Sequence, residues 1–429
     1  MPAPIADIYT SDAAWDLTPD ISPLPREPAT DIRPFELDRN SHSAQLSLMP
    51  VYRITHPEFR RIMLCAAATG ASDVTLQTEA QPRIEVNGVL YRLRGRPWTG
   101  SEIDRILEHT YGAASGPAEI KARRSLDYSY EILLEDSSRR RFRVNATGIR
   151  CRDGSGIELT FRILPDDPPD CASVGLQAEE ITAMTPENGL VIIAGATGSG
   201  KSSTMAALTR HHLERTDRQV KIVDIQAPIE YVFRRTTSRR TGSASVIGQS
   251  EIGRHLPDFA SGVRSALRRK PHIINVGEAR DRETIAAALE AALTGHLVYT
   301  TTHAGSVQDC VRRLLAAFPA TEREHRAGDI GTSLRFVMTQ RLIPSVDGQR
   351  RVALREWMSF GSGAGEAMLG IPAADWPGFI LDCMAGRGDG GCFRSCTRSL
   401  ADSAALLVRQ GLFDTRSMQE YLSGHRLPH

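Results

Sequence analysis

The chain has 429 residues, and its 52 Lys and Arg against 51 Asp and Glu leave a formal net charge of +1. That balance argues against a general nucleic-acid binder, while the 41% apolar and 24% charged fractions are those of a globular chain able to bury two or three cores. Seven scattered cysteines, no apolar run of about 18 residues and no basic-then-apolar start exclude, in that order, a disulfide framework, a membrane span and a secretory leader.

Residues 1–45 are rich in Pro and Asp ("DLTPDISPLPREPATDIRPFELD") with no lasting apolar period, and read as a flexible acidic arm. Residues 46–165 mix helix and strand patterns. "PEFRRIMLCAAATG" predicts a helix closed by Gly70, and "TGSEIDRILEHTY" a second helix with a capping start. "SDVTLQTE", "PRIEVNGVLYRLRG" and "SRRRFRVNATGIR" alternate as strands, with Asn87-Gly88 marking a tight hairpin. This is an α+β domain, followed by a Pro-rich linker at 166–180 ("ILPDDPPDCASVGL" and onward).

From 181 to 345 the pattern becomes alternating β and α, the signature of a parallel sheet covered by helices. Buried strands are expected in "GLVIIAG", "QVKIVDI", "PHIINVGE" and "LVYTTTH", and residues 346–429 read as helical and loop-rich. In that tail Cys383, Cys392 and Cys396 lack paired C-x-x-C units and a fourth ligand, so zinc is not expected there.

The chemistry concentrates in the third region. Gly195, Ala196, Thr197, Gly198, Ser199, Gly200, Lys201, Ser202 and Ser203 form Gly-x-x-x-x-Gly-Lys-Ser between an apolar strand and a helix. A chain of this length matches that pattern by chance roughly 1–2% of the time, and the strand–loop–helix context lowers the figure. Backbone N–H groups and a helix N-terminus suit phosphates, Lys201 suits the β/γ oxygens and Ser202 suits Mg²⁺, so the loop predicts ATP or GTP binding. "HIINVGEARD" then ends a strand with Gly277 and Glu278, where an acid near the attacking water is needed. "IQAPIEYVF" places Glu230 at another strand end, suited to the Mg²⁺ shell through water, a capped turn being the alternative. His296 and His303 flank "LVYTTT" and are candidate γ-phosphate sensors, or else ordinary surface residues.

In this order the four stretches resemble the secretion and type IV pilus ATPase superfamily over about residues 55–345. They match its Walker A loop (Gly195–Ser202), aspartate box (around Glu230), Walker B with Gly-Glu (Gly277, Glu278) and histidine box (His296, His303). The resemblance implies a RecA-like P-loop core and a PAS-like N-terminal domain carrying an Ala-Ser-Asp element (Ala71, Ser72, Asp73) and an Arg-Phe-Arg-Val-Asn strand (Arg141 to Asn145). It also implies that arginines of that domain reach the nucleotide, with Arg143 and Arg162 best placed and Arg150 or Arg152 in a further role. The tail "RLIPSVDGQRRVALREWMSF" and "IQAPIE" are most similar to the type IVB branch, the Dot/Icm-type secretion and conjugative-plasmid transfer ATPases. Most pilus and type II members carry Glu-Asp where this chain has Gln226 and Ala227.

What the resemblance implies is a Mg²⁺-dependent ATP hydrolase working as a homo-oligomeric, hexameric ring. It would sit in the cytoplasm, peripheral to a bacterial inner membrane, docked on secretion or conjugation proteins. A pilus or type II secretion motor is the alternative in the same class. A nucleic-acid translocase would draw on "RRTTSRR" and "RSALRRK", but these lack interleaved aromatics, so direct nucleic-acid binding is not expected. Intact Lys201, Ser202 and Glu278 argue against a non-hydrolysing scaffold.

Overall fold

The computed structural model describes residues 32–38, 40–45, 54–134, 138–152, 154–165, 167–233, 244–347, 350–361, 363–387 and 393–422. Most of the expected acidic arm, the run "RRTTSRR" and Cys392 lie outside the described residues. Among those described, the strands form two eight-stranded sheets.

The N-terminal sheet contains β1 (Glu36–Asp38), β2 (Ser43–Gln45), β3 (Asp73–Gln77), β4 (Arg83–Val86), β5 (Val89–Leu93), β6 (Leu126–Leu133), β7 (Arg139–Cys151) and β8 (Gly154–Leu164), in the order β1-β2-β5-β4-β3-β8-β7-β6. Alternation along β6, β7 and β8 gives the sheet two different faces. On one, Tyr130, Phe142, Val144 and Phe161 pack against Phe59 and Ile62 of the helix His56–Ala68 and Ile103 and Leu107 of the helix Gly100–Tyr111. Both helices start in capping boxes: Glu58 accepts from the Thr55 N–H at 2.7 Å, and Glu102 from the Thr99 N–H at 2.9 Å. The opposite face is polar, because pairing aligns Ser129, Arg143, Arg162 and Asp73 in one row across β6, β7, β8 and β3. The hairpin at Asn87-Gly88 has positive φ at both residues, 51° and 77°, as a primed turn requires.

The arm is shorter than the sequence suggests. β1 and β2 fall within it, β2 pairs with β5, and Phe35 and Ala44 join the core. Strands of three residues are too short to show a period, so composition alone misplaces them.

The second sheet contains β9 (Gly189–Ala194), β10 (Lys221–Gln226), β11 (Val246–Glu251), β12 (Ile273–Val276), β13 (Leu297–Thr302), β14 (Leu334–Pro344), β15 (Arg351–Ser359) and β16 (Thr397–Arg398). Its order is β11-β10-β12-β13-β9-β14-β15-β16, parallel from β11 to β14 and antiparallel beyond. β9 and β12 are buried along their whole length, as strands covered on both faces must be, which is why they read as unbroken apolar runs. Val191 and Ile193 face Met205 and Leu208 of the helix Lys201–Glu214, while Leu190 and Ile192 face the opposite helical layer.

Two expectations for the flanks need correction. The tail beyond 345 is not only helices and loops. β15 and β16 extend the sheet, and Ile343, Leu354, Leu407 and Phe413 form a small core with the helix Leu400–Arg409. The central charges of "RVALREWMS" hide β15 in the sequence. The expected linker is also packed on this domain: Arg210 donates to the Pro168 carbonyl at 2.8 Å, and Leu176 is a core residue.

Buried Glu102 anchors the N-terminal domain's entry. Its carboxylate takes two guanidinium bonds from Arg96 and accepts from the Ile54 and Thr99 N–H groups, both at 2.9 Å. Arg96 first, aided by those N–H groups, holds its carboxyl far below the usual range, against the opposing effect of burial. Glu102→Ala should cost about 1–3 kcal/mol in urea unfolding. Because the folded pKa is depressed, that deficit should be constant above the ordinary glutamate value and shrink as pH falls toward the folded one.

Candidate active site

The parallel registers bring the C-terminal ends of β9, β10, β12 and β13 to one edge, so Gly195, Gln226, Gly277 and His303 follow their strands side by side. This edge is where open parallel sheets hold ligands. The loop from Gly195 leads into the helix Lys201–Glu214. Gly195 is required by close approach: its φ is 148°, and a Cβ there would lie 2.4 Å from the Gln340 carbonyl and 2.6 Å from Ser199 Oγ. Lys201 Nζ donates to the Gly195 and Ala196 carbonyls at 2.9 Å each. Burial pushes its ammonium below the usual lysine value, and Glu278 and Glu230 pull it back up.

The floor beneath this loop comes from residues that the sequence patterns do not single out. Gln340 on β14 donates to the Ser199 carbonyl at 2.6 Å, and its Oε1 accepts from Thr204 Oγ1 at 2.9 Å and Arg355 Nε at 3.1 Å. Buried Arg355 on β15 also donates to the Gly175 and Val174 carbonyls at 2.8 and 2.5 Å, with Glu180 4.0 Å away. The charged pair Arg355-Glu356 between the apolar stretches "VAL" and "WM" is the available signal, since a buried guanidinium needs several partners.

Glu278 lies just past β12, and His303 Nε2 reaches its Oε1 at 3.0 Å. Arg280 bonds the same carboxylate. Gly277 is needed because a Cβ would come within 2.7 Å of Gln226 Oε1 and 3.1 Å of the Ile225 carbonyl. His296, the γ-phosphate-sensor candidate at the other end of β13, is not brought to this edge. It precedes β13, bonds the Ala291 carbonyl at 3.1 Å, and its own carbonyl accepts from the Gly189 N–H at 3.0 Å. A strand's length, about 20 Å, therefore separates it from the loop in the same chain.

Glu230 is held from the other sheet. Arg141 donates to the Ile229 and Glu230 carbonyls at 2.5 and 2.7 Å, and its Nε bonds Glu131 at 3.1 Å. Burial lowers the Arg141 pKa, with Glu131 opposing. Glu251 accepts from the Ile229 N–H at 3.1 Å and from Ser129 Oγ at 3.2 Å. Arg143 lies 3.9 Å from the Glu230 carboxylate. Arg162, its neighbour in the strand row, is salt-bridged to Asp73 at 3.0 Å on its own sheet and is largely exposed. Arg150 and Arg152 sit at the far end of the β7–β8 hairpin, about 23 Å along the strand from Arg143. Arg141 was passed over although the alternation that selects Arg143 selects it too.

Ser202, Glu230, Asp224, Gln226 and Asn275 line a cavity of about 20 Å³, room for one water. The lining also includes Met205, Ala206, Tyr231 and Phe233, and within it the Ser202 hydroxyl and the Glu230 carboxylate are oxygen donors of the kind a hard cation such as Mg²⁺ takes. Among the described residues no group of three or more His, Cys, Asp or Glu is arranged to hold a metal by itself.

Comparisons with known proteins give the family. The family model described as "Type II/IV secretion system protein" matches residues 156–368. The ATPase DotB of Legionella pneumophila, known from an X-ray structure, superposes with a TM-score of 0.78 at 35% identity, covering 89% of this chain and 99% of that one. The type IV pilus retraction ATPase PilT of Pseudomonas aeruginosa is 31% identical over 316 residues, 74% of this chain and 83% of that protein. YggR of Escherichia coli K12 is 42% identical over 202 residues, 47% of this chain but only 59% of YggR's own length. The fold is thus a RecA-like P-loop core preceded by a PAS-like α+β domain, and the chain belongs to the Type II/IV secretion system protein family, a family of ATPases.

Proposed function

We propose that this chain is a Mg²⁺-dependent ATP hydrolase that powers a type IV secretion machine of the IVB kind, Dot/Icm-like or conjugative, as a homohexameric ring docked peripherally on inner-membrane proteins. The observation that carries the reading is the meeting of Lys201, the Glu278–His303 pair and the Glu230–Arg143 pair at one sheet edge. Likeness to DotB over nearly all of that protein supports the choice of machine. No helix among the described residues is long and apolar enough to cross a membrane, so docking would run through partners.

In this mechanism the loop N–H groups from Ala196 to Ser203 bind the phosphates, and Lys201 exchanges its two carbonyl partners for β/γ oxygens. Glu278 orients the attacking water, and His303, bonded to it, senses the γ-phosphate. Ser202 and Glu230, the latter through water, would hold Mg²⁺, which when bound neutralises phosphate charge. Arg143 turns from Glu230 toward the charge developing on the γ-phosphoryl, with Arg162 behind it in the same row. Because Arg143 and the P-loop stand on different sheets, turnover and domain orientation are coupled.

Pilus retraction is the second reading, favoured by the match to PilT over most of that protein. Deleting the gene decides between them: loss of protein or plasmid transfer with surface motility intact supports the secretion reading, and the reverse pattern overturns it.

Lys201→Ala should abolish ATP turnover and weaken nucleotide binding, and near-normal activity would refute the site. Glu278→Gln should retain ATP binding while steady-state hydrolysis disappears, since shape is kept and the orienting charge is lost. Arg141→Ala should lower kcat by about 10²-fold through a displaced Glu230 segment. Arg143→Ala should lower it by about 10³-fold with little change in ATP affinity, as removal of an arginine finger does.

A further inference from the structure

Asp224 lies in the middle of β10 and is buried, yet among the described residues no guanidinium or ammonium contacts it. Its partners are amides: Gln226 Nε2 donates to Oδ1 at 2.7 Å and Gln249 Nε2 to Oδ2 at 2.8 Å, while Asn275, its register partner on β12, gives Nδ2 to Thr209 Oγ1 at 2.9 Å. Amide nitrogens only donate, so both carboxyl oxygens act as acceptors and each glutamine is fixed in one orientation.

Each orientation has a consequence at the sheet edge. With its nitrogen on Asp224, Gln226 turns Oε1 toward Gly277, close enough that a Cβ there would be 2.7 Å away. Gln249 gives Nε2 to the Tyr231 carbonyl as well, at 2.8 Å, and accepts from the Phe233 N–H at 3.3 Å. Tyr231 in turn meets Ser203 Oγ at 2.8 Å. Asp224 therefore reaches the Glu278 strand end through Gln226, and both the Glu230 segment and the P-loop helix through Gln249 and Tyr231. Burial pushes its carboxyl upward in pKa while the amides oppose the shift.

We propose that Asp224 is a positioning residue for ATP hydrolysis, the hub that sets Gln226 and Gln249 and thereby aligns the Gly277–Glu278 turn, Glu230 and the P-loop helix. It contributes no atom to the reacting groups. Asp224 stands two residues before Gln226, the half-buried last residue of β10, which presents a neutral oxygen at that end. A carboxylate at 226 would face a second carboxylate at 224 in a buried setting, so the two positions are coupled: one acid, not two.

This proposal rests on the ATPase reading, and the test separates the two. In the full chain, Asp224→Asn keeps shape but replaces one acceptor with a donor, so one glutamine must turn. We expect kcat to fall by about 10- to 100-fold while the KM for ATP stays within about threefold. Nucleotide-free protein gives the second readout. Gln226→Glu alone should lower Tm by at least about 2–4 °C at pH 8, the equivalent of about 1 kcal/mol. In the Asp224→Asn background the same change should cost nothing, because the amide introduced at position 224 can then donate to the new carboxylate, and kcat should recover in that double variant. Unchanged kcat in Asp224→Asn, or strictly additive Tm shifts, would overturn the proposal. Non-additive Tm shifts with a kcat loss that the double variant fails to recover would reduce Asp224 to a packing role. If the unmodified chain hydrolyses no ATP, the ATPase reading fails by itself, and the Tm cycle still decides whether Asp224 and Gln226 are coupled.

Discussion

The structure turns on one buried guanidinium. Arg141 cannot leave water unless its donors are used, and the partners it finds are a carboxylate on its own sheet and two consecutive carbonyls on the other. A planar fork that reads two adjacent carbonyls fixes position and orientation together. A lysine would hold the segment at one point and let it swivel. Glu230, which lines the small cavity beside Ser202, is held by this contact, and Arg143, two residues along β7, stands opposite its carboxylate. The contact ties the α+β domain to the sheet that carries the P-loop, so residues of both sheets meet beside Glu230.

Much of the second sheet was legible because its strands are covered on both faces. "GLVIIAG" and "PHIINV" are apolar without interruption, and the Gly-Lys-Ser spacing after the first of them marks a phosphate loop leading into a helix. The N-terminal sheet was legible for a different reason, the two-residue alternation of a half-exposed surface. The features that escaped were those with no local pattern. β11 ends in the polar run Gln249-Ser250-Glu251, β15 carries Arg355 and Glu356 at its centre, and β1 and β2 are three residues each. In the candidate site, residue types pointed to the loop, Glu278 and Glu230, and pairing register puts His303, not His296, at their edge of the sheet. A sequence shows that both histidines flank one strand, and only the parallel registry with β9 shows which end meets the loop.

Behind the loop, segments far apart in the chain meet at Gln340 and Arg355. The stretch after the first domain gives the Val174 and Gly175 carbonyls, the tail gives Arg355, and the loop gives the Ser199 carbonyl. Such convergence makes the loop's floor rigid, since moving any one member leaves a buried polar group unpaired. It also means that the connection between the two domains is anchored to the strands under the phosphate loop, so a change in domain orientation is transmitted there rather than absorbed by slack.

The two faces of β7 have an evolutionary consequence. Phe142, Val144 and Ala146 fill the core, and Arg141, Arg143 and Asn145 look the other way. Inserting or deleting a single residue near position 140 would exchange the two sets, driving arginines into an aromatic core and phenylalanine into the cleft. The gap penalty along this strand is thus far steeper than the substitution penalty. Lineages diverging from this ancestor are free to swap side chains of similar character along β7 but not to change its count, and length variation should gather instead at the hairpin ends on either side.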